Sequence, residues 1–345
     1  MRRALSGPEP GASQRLVAGA LLRILERLTG PTGAGGPVEK VPRGFSGNAS
    51  YGMLWQVAAN RTGMPRLLAL SDLHVAFPDN RKIVQDLRPE SEADWLLVAG
   101  DVGEVFADIE WALRTLCGRF GTVIWTPGNH ELWTHGRDSL QLRGEGRYLR
   151  LVELCRELGV VTPEDPYRVW DGPGGAATVV PLFLLYDYTF LPDGALTKDQ
   201  GLARAYKTGI VCSDEMLLHP DPYPSREAWC WARIEATERR LAERDPELPV
   251  VFVNHFPLVR EPTRILRYPE FAQWCGTTRT SDWHTRFNAA AVVYGHLHIP
   301  RTTWHDGVRF EEVSIGYPRE WQRRAARPGI PRQILPAPAA GATGT

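Results

Sequence analysis

The sequence predicts a layered α/β domain, and three observations carry that reading. Five short runs, Arg66–Leu70, Trp95–Ala99, Thr122–Trp125, Val250–Val253 and Ala291–Tyr294, are almost wholly apolar. Strands covered on both faces lose the in/out alternation, so these read as interior strands of a sheet packed on both sides. Between the second and third, Ile109, Ala112, Leu113, Leu116 and Cys117 recur at helical spacing, as a crossover helix requires. A polar cluster follows each apolar run, where the loops leaving neighbouring strands of an open α/β sheet converge on a ligand.

The first strand predicted, Arg66–Leu70, begins directly after Met64 and Pro65. Residues 1–63 hold 11 of the 33 glycines and carry a net charge of +5 in a chain of 345 residues whose total is zero. They read as a Gly/Pro-rich tail, with one short amphipathic helix over Leu16–Leu28 and a linker from Gly30 to Gly63. Arg2 and Arg3 are followed by Gly7-Pro8-Glu9-Pro10 instead of an apolar core, which argues against a signal peptide. The tail supplies no ligand and is expected to be dispensable for catalysis, so a start at Met53 or Met64 would leave the catalytic domain whole. That domain is placed at 64–336, with 337–345 as a flexible end. Within it, Glu227–Arg244 reads as a second helix, stopped by Asp245-Pro246. Arg301–Trp304 and Val308–Ile315 flank Asp306-Gly307, a type I′ hairpin signal.

Composition excludes several classes. Forty basic against forty acidic residues offer no field for a polyanion or an acidic membrane surface, so no nucleic-acid or membrane partner is expected. Apolar runs such as Val179–Tyr186 are far shorter than the roughly 20 residues of a spanning helix. Five scattered cysteines without a C-x-x-C pair fit neither a disulfide framework nor a thiolate zinc site, and point to a cytoplasmic protein.

The polar clusters are Ser71-Asp72-Leu73-His74, Gly100-Asp101, Gly128-Asn129-His130-Glu131, Asn254-His255 and Gly295-His296-Leu297-His298. Asp72, His74, Asp101, Asn129, His255, His296 and His298 offer oxygen and imidazole donors and no thiolate, a set suited to divalent Mn, Fe, Zn or Co. Seven donors exceed the needs of one ion. Two ions roughly 3.5 to 4 Å apart, bridged by a carboxylate, would use them all. An extended His296-x-His298 would aim both imidazoles to one side, and the glycines at 100, 128 and 295 would permit tight turns before the ligands.

In this order and each behind an apolar run, the five clusters resemble the signature of the calcineurin-like metallophosphoesterases: D-x-H, GD, GNH-[DE], a lone H and GH-x-H. The resemblance covers residues 66 to about 300 and implies a four-layer αββα sandwich. It implies Asp72, His74 and His298 on one metal, Asn129, His255 and His296 on the other, and Asp101 as the bridge. His130 resembles the general acid that protonates the leaving oxygen while hydroxide attacks phosphorus in line. Glu104, three residues beyond Asp101, resembles the carboxylate that sustains its imidazolium, although the protein phosphatases carry Asp there; Glu131 is a second candidate. Arg301, three residues past His298, is the best candidate for a contact to substrate phosphate.

A closer resemblance runs from about Arg66 to Pro336. Phe183-Leu-Leu-Tyr-Asp-Tyr188, Ala228-Trp-Cys230, Trp274-Cys-Gly-Thr-Thr278 and Tyr294-Gly-His-Leu-His-Ile-Pro-Arg-Thr-Thr-Trp304 are similar to stretches of actinobacterial metallophosphoesterases related to 4′-phosphopantetheinyl hydrolases. It implies a carrier-protein phosphodiester as substrate, so acyl carrier protein would be the partner. A nucleotide or other small phosphoester is the alternative; a non-catalytic metal-bound scaffold is remote, because all seven ligands and His130 are present. The aromatic and Pro-rich segments between the motifs suit walls of a lidded pocket or a docking surface, while for any one of their Trp and Tyr a place in the core is the more ordinary reading.

Overall fold

The computed structural model describes residues 63–324 and 331–338. The helix expected at Leu16–Leu28, nearly all of the linker, and residues 339–345 of the C-terminal end lie outside the described residues. In chain order the described elements begin with β1 (Leu67–Leu70), α1 (Pro78–Asp86), β2 (Trp95–Ala99), α2 (Phe106–Cys117), β3 (Thr122–Thr126) and α3 (Gly144–Leu158). β4 (Arg168–Trp170), β5 (Ala177–Pro181), α4 (Lys198–Lys207), α5 (Asp214–Leu217), α6 (Arg226–Ala242) and β6 (Val250–Val253) follow. The last are α7 (Trp283–Arg286), β7 (Ala289–Tyr294), β8 (Arg301–His305), β9 (Val308–Glu312), α8 (Pro318–Trp321) and β10 (Arg332–Leu335).

The strands form two sheets, in the orders β10-β1-β2-β3 and β4-β5-β6-β7-β9-β8. β1, β2 and β3 are parallel, as are β5, β6, β7 and β9, while β10, β4 and β8 are antiparallel edges. The five predicted apolar runs are five of the parallel strands, and residue parity shows why they lack alternation. Leu67, Ala69, Leu97, Ala99, Val251, Val253, Ala291 and Val293 share one core between the sheets. Their neighbours Leu68, Leu70, Leu96, Val98, Val250, Phe252 and Val292 join a second core with helix residues such as Ile109, Leu113, Leu151 and Ile234. Each strand is therefore apolar on both faces because it separates two buried layers, which gives the predicted sandwich of two sheets flanked by helices.

The crossover helix buries Ile109, Ala112, Leu113 and Leu116, the stripe read from the sequence. α6 starts behind the Ser225 cap, whose side chain accepts from Ala228 N, and stops two residues short of the expected Arg244. In the β8–β9 hairpin, His305 faces Val308, and both Asp306 (φ 49°) and Gly307 (φ 77°) are left-handed, as a type I′ turn demands. β10 and α3 carried no recognised signal in the sequence. Among the described residues no helix is long and apolar enough to cross a membrane.

Candidate metal centre

The polar clusters lie at the carboxyl ends of the parallel strands: Asp72 and His74 after β1, Asp101 after β2, Asn129 after β3, His255 after β6, and His296 and His298 after β7. Two parallel sheets thus deliver their loops to one rim. The sheets are tied there by the Ser71–Ser314 bridge and by His255 Nδ1, which lies 2.9 Å from the Ala99 carbonyl of the other sheet. Asp72 (φ 53°), His74 (φ 40°), Asp101 (φ 53°), His296 (φ 70°) and His298 (φ 55°) are all left-handed, a conformation that non-glycine residues adopt at a cost of about 1–3 kcal/mol each. This corrects the expected extended His-x-His: the two histidines are aimed by left-handed backbones and join different groups.

Asp72, His74 and His298 form one group, and Asp101, His255 and His296 another, with the donor atoms of each group mutually within 4.8 Å. Asn129 adds Oδ1 to the second, 3.1 Å from His255 Nε2. Asp101 also groups with His74 and His130, so its carboxylate stands between the two sets. In the first group His298 Nε2 lies 3.0 Å from Asp72 Oδ1 and 3.3 Å from His74 Nε2. The outward faces of these side chains are occupied. Asp72 Oδ2 accepts from Ser71 Oγ (2.5 Å), Ser314 Oγ (2.7 Å) and the His296 amide (3.1 Å), and His298 Nδ1 meets Glu320 at 2.7 Å. Each such partner fixes the ring or carboxylate so that its other donor atom faces the cluster. Tyr317 stacks on His74 at 4.5 Å.

Electrostatics divide the four imidazoles. Burial first, and then the charge of a neighbouring histidine, pushes His74 and His296 down to about 3, so both are neutral and carry a free lone pair. Burial also works against the charged form of His255 and His298, but Asp101 beside the one and Asp72 beside the other outweigh it and raise both to about 10. The two carboxylates are held well below the usual range: burial raises them, but the adjacent imidazoliums prevail.

His130 stands between Asp101 and Glu104. Its Nε2 is 3.7 Å from Asp101 and its Nδ1 is 3.3 Å from Glu104 Oε1. Burial lowers its pKa, yet Asp101's charge and the Glu104 hydrogen bond raise it overall, which favours the imidazolium. The second candidate carboxylate, Glu131, does not touch the ring. Fully buried, it accepts from the backbone amides of Asp101 (2.9 Å), Val102 (2.7 Å) and Gly128 (2.9 Å) and staples the β2 and β3 loops together. The glycines act by closeness as much as by turning. Gly100 is left-handed (φ 84°), but a side chain on Gly128 would strike the Asp101 carboxylate, and one on Gly295 would strike Ser71 and Asp72.

Arg301 opens β8, where its backbone pairs with Glu312 and its charge acts on the Tyr294 phenol; among the described residues it makes no hydrogen bond to a candidate ligand. The aromatic residues of the segments between the motifs are mostly core, the more ordinary of the two readings. Tyr186, Tyr188, Trp229 and Trp274 are at most 2 % exposed, whereas Trp231 and Tyr268 keep 38 % and 51 % of their surface open. Buried phenols and indoles need acceptors, and Asp214 and Glu215 supply them to Tyr186, Tyr188 and Trp274. Sequence reading missed Asp214, Glu320, Ser314 and Tyr317. None of them lies in a motif, although a carboxylate capping a helix two residues past Gly316-Tyr317-Pro318 left a weak trace at Glu320.

The donors fit divalent cations by an independent sign. Among the described residues His296 Nε2 is buried and has no hydrogen-bond partner, as an atom of a neutral ring kept for a metal site can be. The profile of the family described as calcineurin-like phosphoesterase matches residues 65–300. The acyl-carrier-protein phosphodiesterase PptH of Mycobacterium tuberculosis (strain ATCC 25618 / H37Rv) is 56% identical over 288 residues, 83% of this chain and 89% of that protein. The crystal structure of phosphopantetheinyl hydrolase (PptH) from Mycobacterium tuberculosis superposes with a TM-score of 0.78 at 57% identity, covering 80% of this chain and 97% of that one. Calcineurin-like phosphoesterases use a binuclear divalent metal centre, and the two groups of ligands on this rim are candidates for it. With the profile covering every one of those residues, the chain belongs to the calcineurin-like phosphoesterase family, hydrolases of phosphoric esters.

Proposed function

We propose that this enzyme hydrolyses the phosphodiester that joins 4′-phosphopantetheine to the serine of a holo acyl carrier protein, releasing the free arm and the apo protein. The observation that carries the reading is the 56% identity over 288 residues to an acyl-carrier-protein phosphodiesterase, a span that includes the segments between the motifs as well as the motifs themselves. Those segments decide specificity, because the ligand rim sets the reaction and says little about the substrate.

Asp72, His74 and His298 are assigned to one ion, Asn129, His255 and His296 to the other, with Asp101 shared. Nitrogen and oxygen donors without thiolate favour Mn, Fe, Zn or Co. Two such ions, when bound, activate water at neutral pH and neutralise charge on the phosphoryl oxygens. His130 supplies the proton. Its ring is held between Asp101 and Glu104 and walled by Trp133 at 3.7 Å, so it is oriented and charged before substrate arrives. A serine alkoxide is a poor leaving group, and protonating its oxygen as the P–O bond breaks is the step this residue is placed to perform. Glu104 keeps that proton on the ring, and Arg301 is assigned to the substrate phosphate.

The test is to incubate the Mn-loaded enzyme with a holo carrier protein and weigh both products. The carrier protein should lose the mass of the whole phosphopantetheinyl group and recover an unmodified serine. Rapid hydrolysis of nucleotides with an unaltered carrier protein would select the small-phosphoester alternative.

A further inference from the structure

The carboxylate of Asp214 belongs to none of the motifs, yet it touches the motif residue Asn129 and the Trp133 that packs on His130. Asp214 opens α5, in the long segment between β5 and β6, and is fully buried. Its Oδ1 accepts from Asn129 Nδ2 at 2.9 Å and from Trp133 Nε1 at 2.6 Å, its Oδ2 accepts from the Tyr186 hydroxyl at 2.9 Å, and its backbone carbonyl accepts from Arg226 at 2.6 Å.

The two ends of an asparagine amide are nearly identical in shape and opposite in chemistry. Only the carbonyl oxygen can ligate a cation, so its partners must decide which end faces the cluster. An ionised carboxylate can only accept. Placed behind Asn129, it takes the NH2 and turns Oδ1 toward His255 Nε2, 3.1 Å away. The same oxygen holds the Trp133 indole, which lies against the His130 ring with centroids 3.7 Å apart. A hydrophobic residue at this position could accept from neither, and a hydroxyl, which both donates and accepts, would not select one end of the amide. Leaving a buried anion here without its donors would be costly, and the three donors come from two segments, Asn129 and Trp133 after β3 and Tyr186 after β5.

We propose that Asp214 is a positioning residue of the metal centre: it selects the amide orientation of Asn129 that offers oxygen to one ion and seats Trp133 against the proposed acid His130. The inference rests on the binuclear reading above and adds a residue to it.

The test titrates the full chain, stripped by chelation, with MnCl2 and follows heat and metal content. The parent should take two ions; fewer would refute the binuclear reading itself. Asp214→Ala should weaken one ion by about tenfold or more, the range seen when partners behind metal ligands are removed. The other ion should stay within about twofold. Unchanged affinity for both, in a folded variant, would overturn the inference alone. A merely structural role is separated by a cycle with Asn129→Ala: if Asp214 acts through Asn129, adding Asp214→Ala in that background should change the affinity by less than about twofold. Fully additive losses count against the proposal. Should Asp214→Ala fail to fold, Asp214→Leu keeps the volume and offers no acceptor; in a folded Leu variant, a selective loss at one ion supports the assignment and wild-type affinity at both refutes it.

Discussion

The imidazoles on this rim differ in charge because of what stands beside them, and the charged ones have consequences that can be measured. His255 and His298, raised to about 10 beside Asp101 and Asp72, hold protons on the nitrogens assigned to the ions. Cation and proton compete for one lone pair, so binding two ions near pH 7 should release about two protons, and affinity should rise as pH rises. Calorimetry in buffers of different ionisation enthalpy counts them; no buffer dependence would mean the rings bind already neutral. The same groups make a statement about the metal-free fold. Their pKa values lie above the unfolded 6.5, so the stability they give is complete below that pH and is lost as pH climbs through about 10. For His130, replacement by Ala should keep both ions and cost about 10² to 10⁴ in kcat on a serine phosphodiester. An activated aryl ester, which needs no protonation, should lose much less, and equal losses would remove the acid role. Glu104→Gln deletes a charge that helps hold His130 protonated. The acid form should then disappear at lower pH, moving the basic limb of the rate profile in the acid direction with metal content unchanged. An unmoved limb would leave Asp101, the larger influence, and Asp214 as the supports.

The strand ends were legible as elements and only partly as geometry. Each ligand could be placed because it follows a run too apolar to be anything but a doubly covered strand, as with Val250–Val253 before His255. What aims the side chain was not visible. The left-handed backbones of His296 and His298 follow from the loops closing against Ser71, Asp72 and Gly316, contacts with partners more than 200 positions away in the case of Asp72 and His296. Asp214 is likewise 85 residues from Asn129, and no spacing rule reaches that far. The aromatic segments stayed open for a related reason: a Tyr or Trp pattern is the same for a pocket wall and for a buried ring, and only the acceptors Asp214 and Glu215 decide. The elements also pack too closely for substitution at their junctions. Gly128 lies against Asp101 where the β2 and β3 loops touch, and Gly128→Ala would drive its methyl into that carboxylate and the Asp101 amide. Overpacking at such a site costs about 1–3 kcal/mol. The variant should melt at lower temperature and bind less than the full metal complement, whereas normal metal content would show that the loops can separate at little cost.

At the scale of the whole molecule, the catalytic unit is closed at its amino end by its own contacts. Arg66 bonds through its amide and guanidinium to Asp94, at 2.9 Å in both cases, and reaches Glu90 at 2.9 Å, so the chain is pinned one residue before β1. β1 itself lies between β10 and β2 and presents no free edge. Met64, by contrast, is 74 % exposed, and the family match begins at residue 65. Every candidate ligand, and His130 with its partner Glu104, comes after Arg66. A chain beginning at Met64 therefore keeps both sheets and the complete rim. It is expected to retain the melting temperature, the metal content and the kcat/KM of the full chain on a small aryl phosphodiester. The apolar stripe from Leu16 to Leu28 offers the competing reading, in which those side chains cover a surface that must be covered. Aggregation of the shortened chain, or a fall of several degrees in its melting temperature, would establish that reading. A loss confined to the carrier-protein substrate, with aryl-ester turnover and stability intact, would instead assign the first 63 residues to recognition of the protein partner.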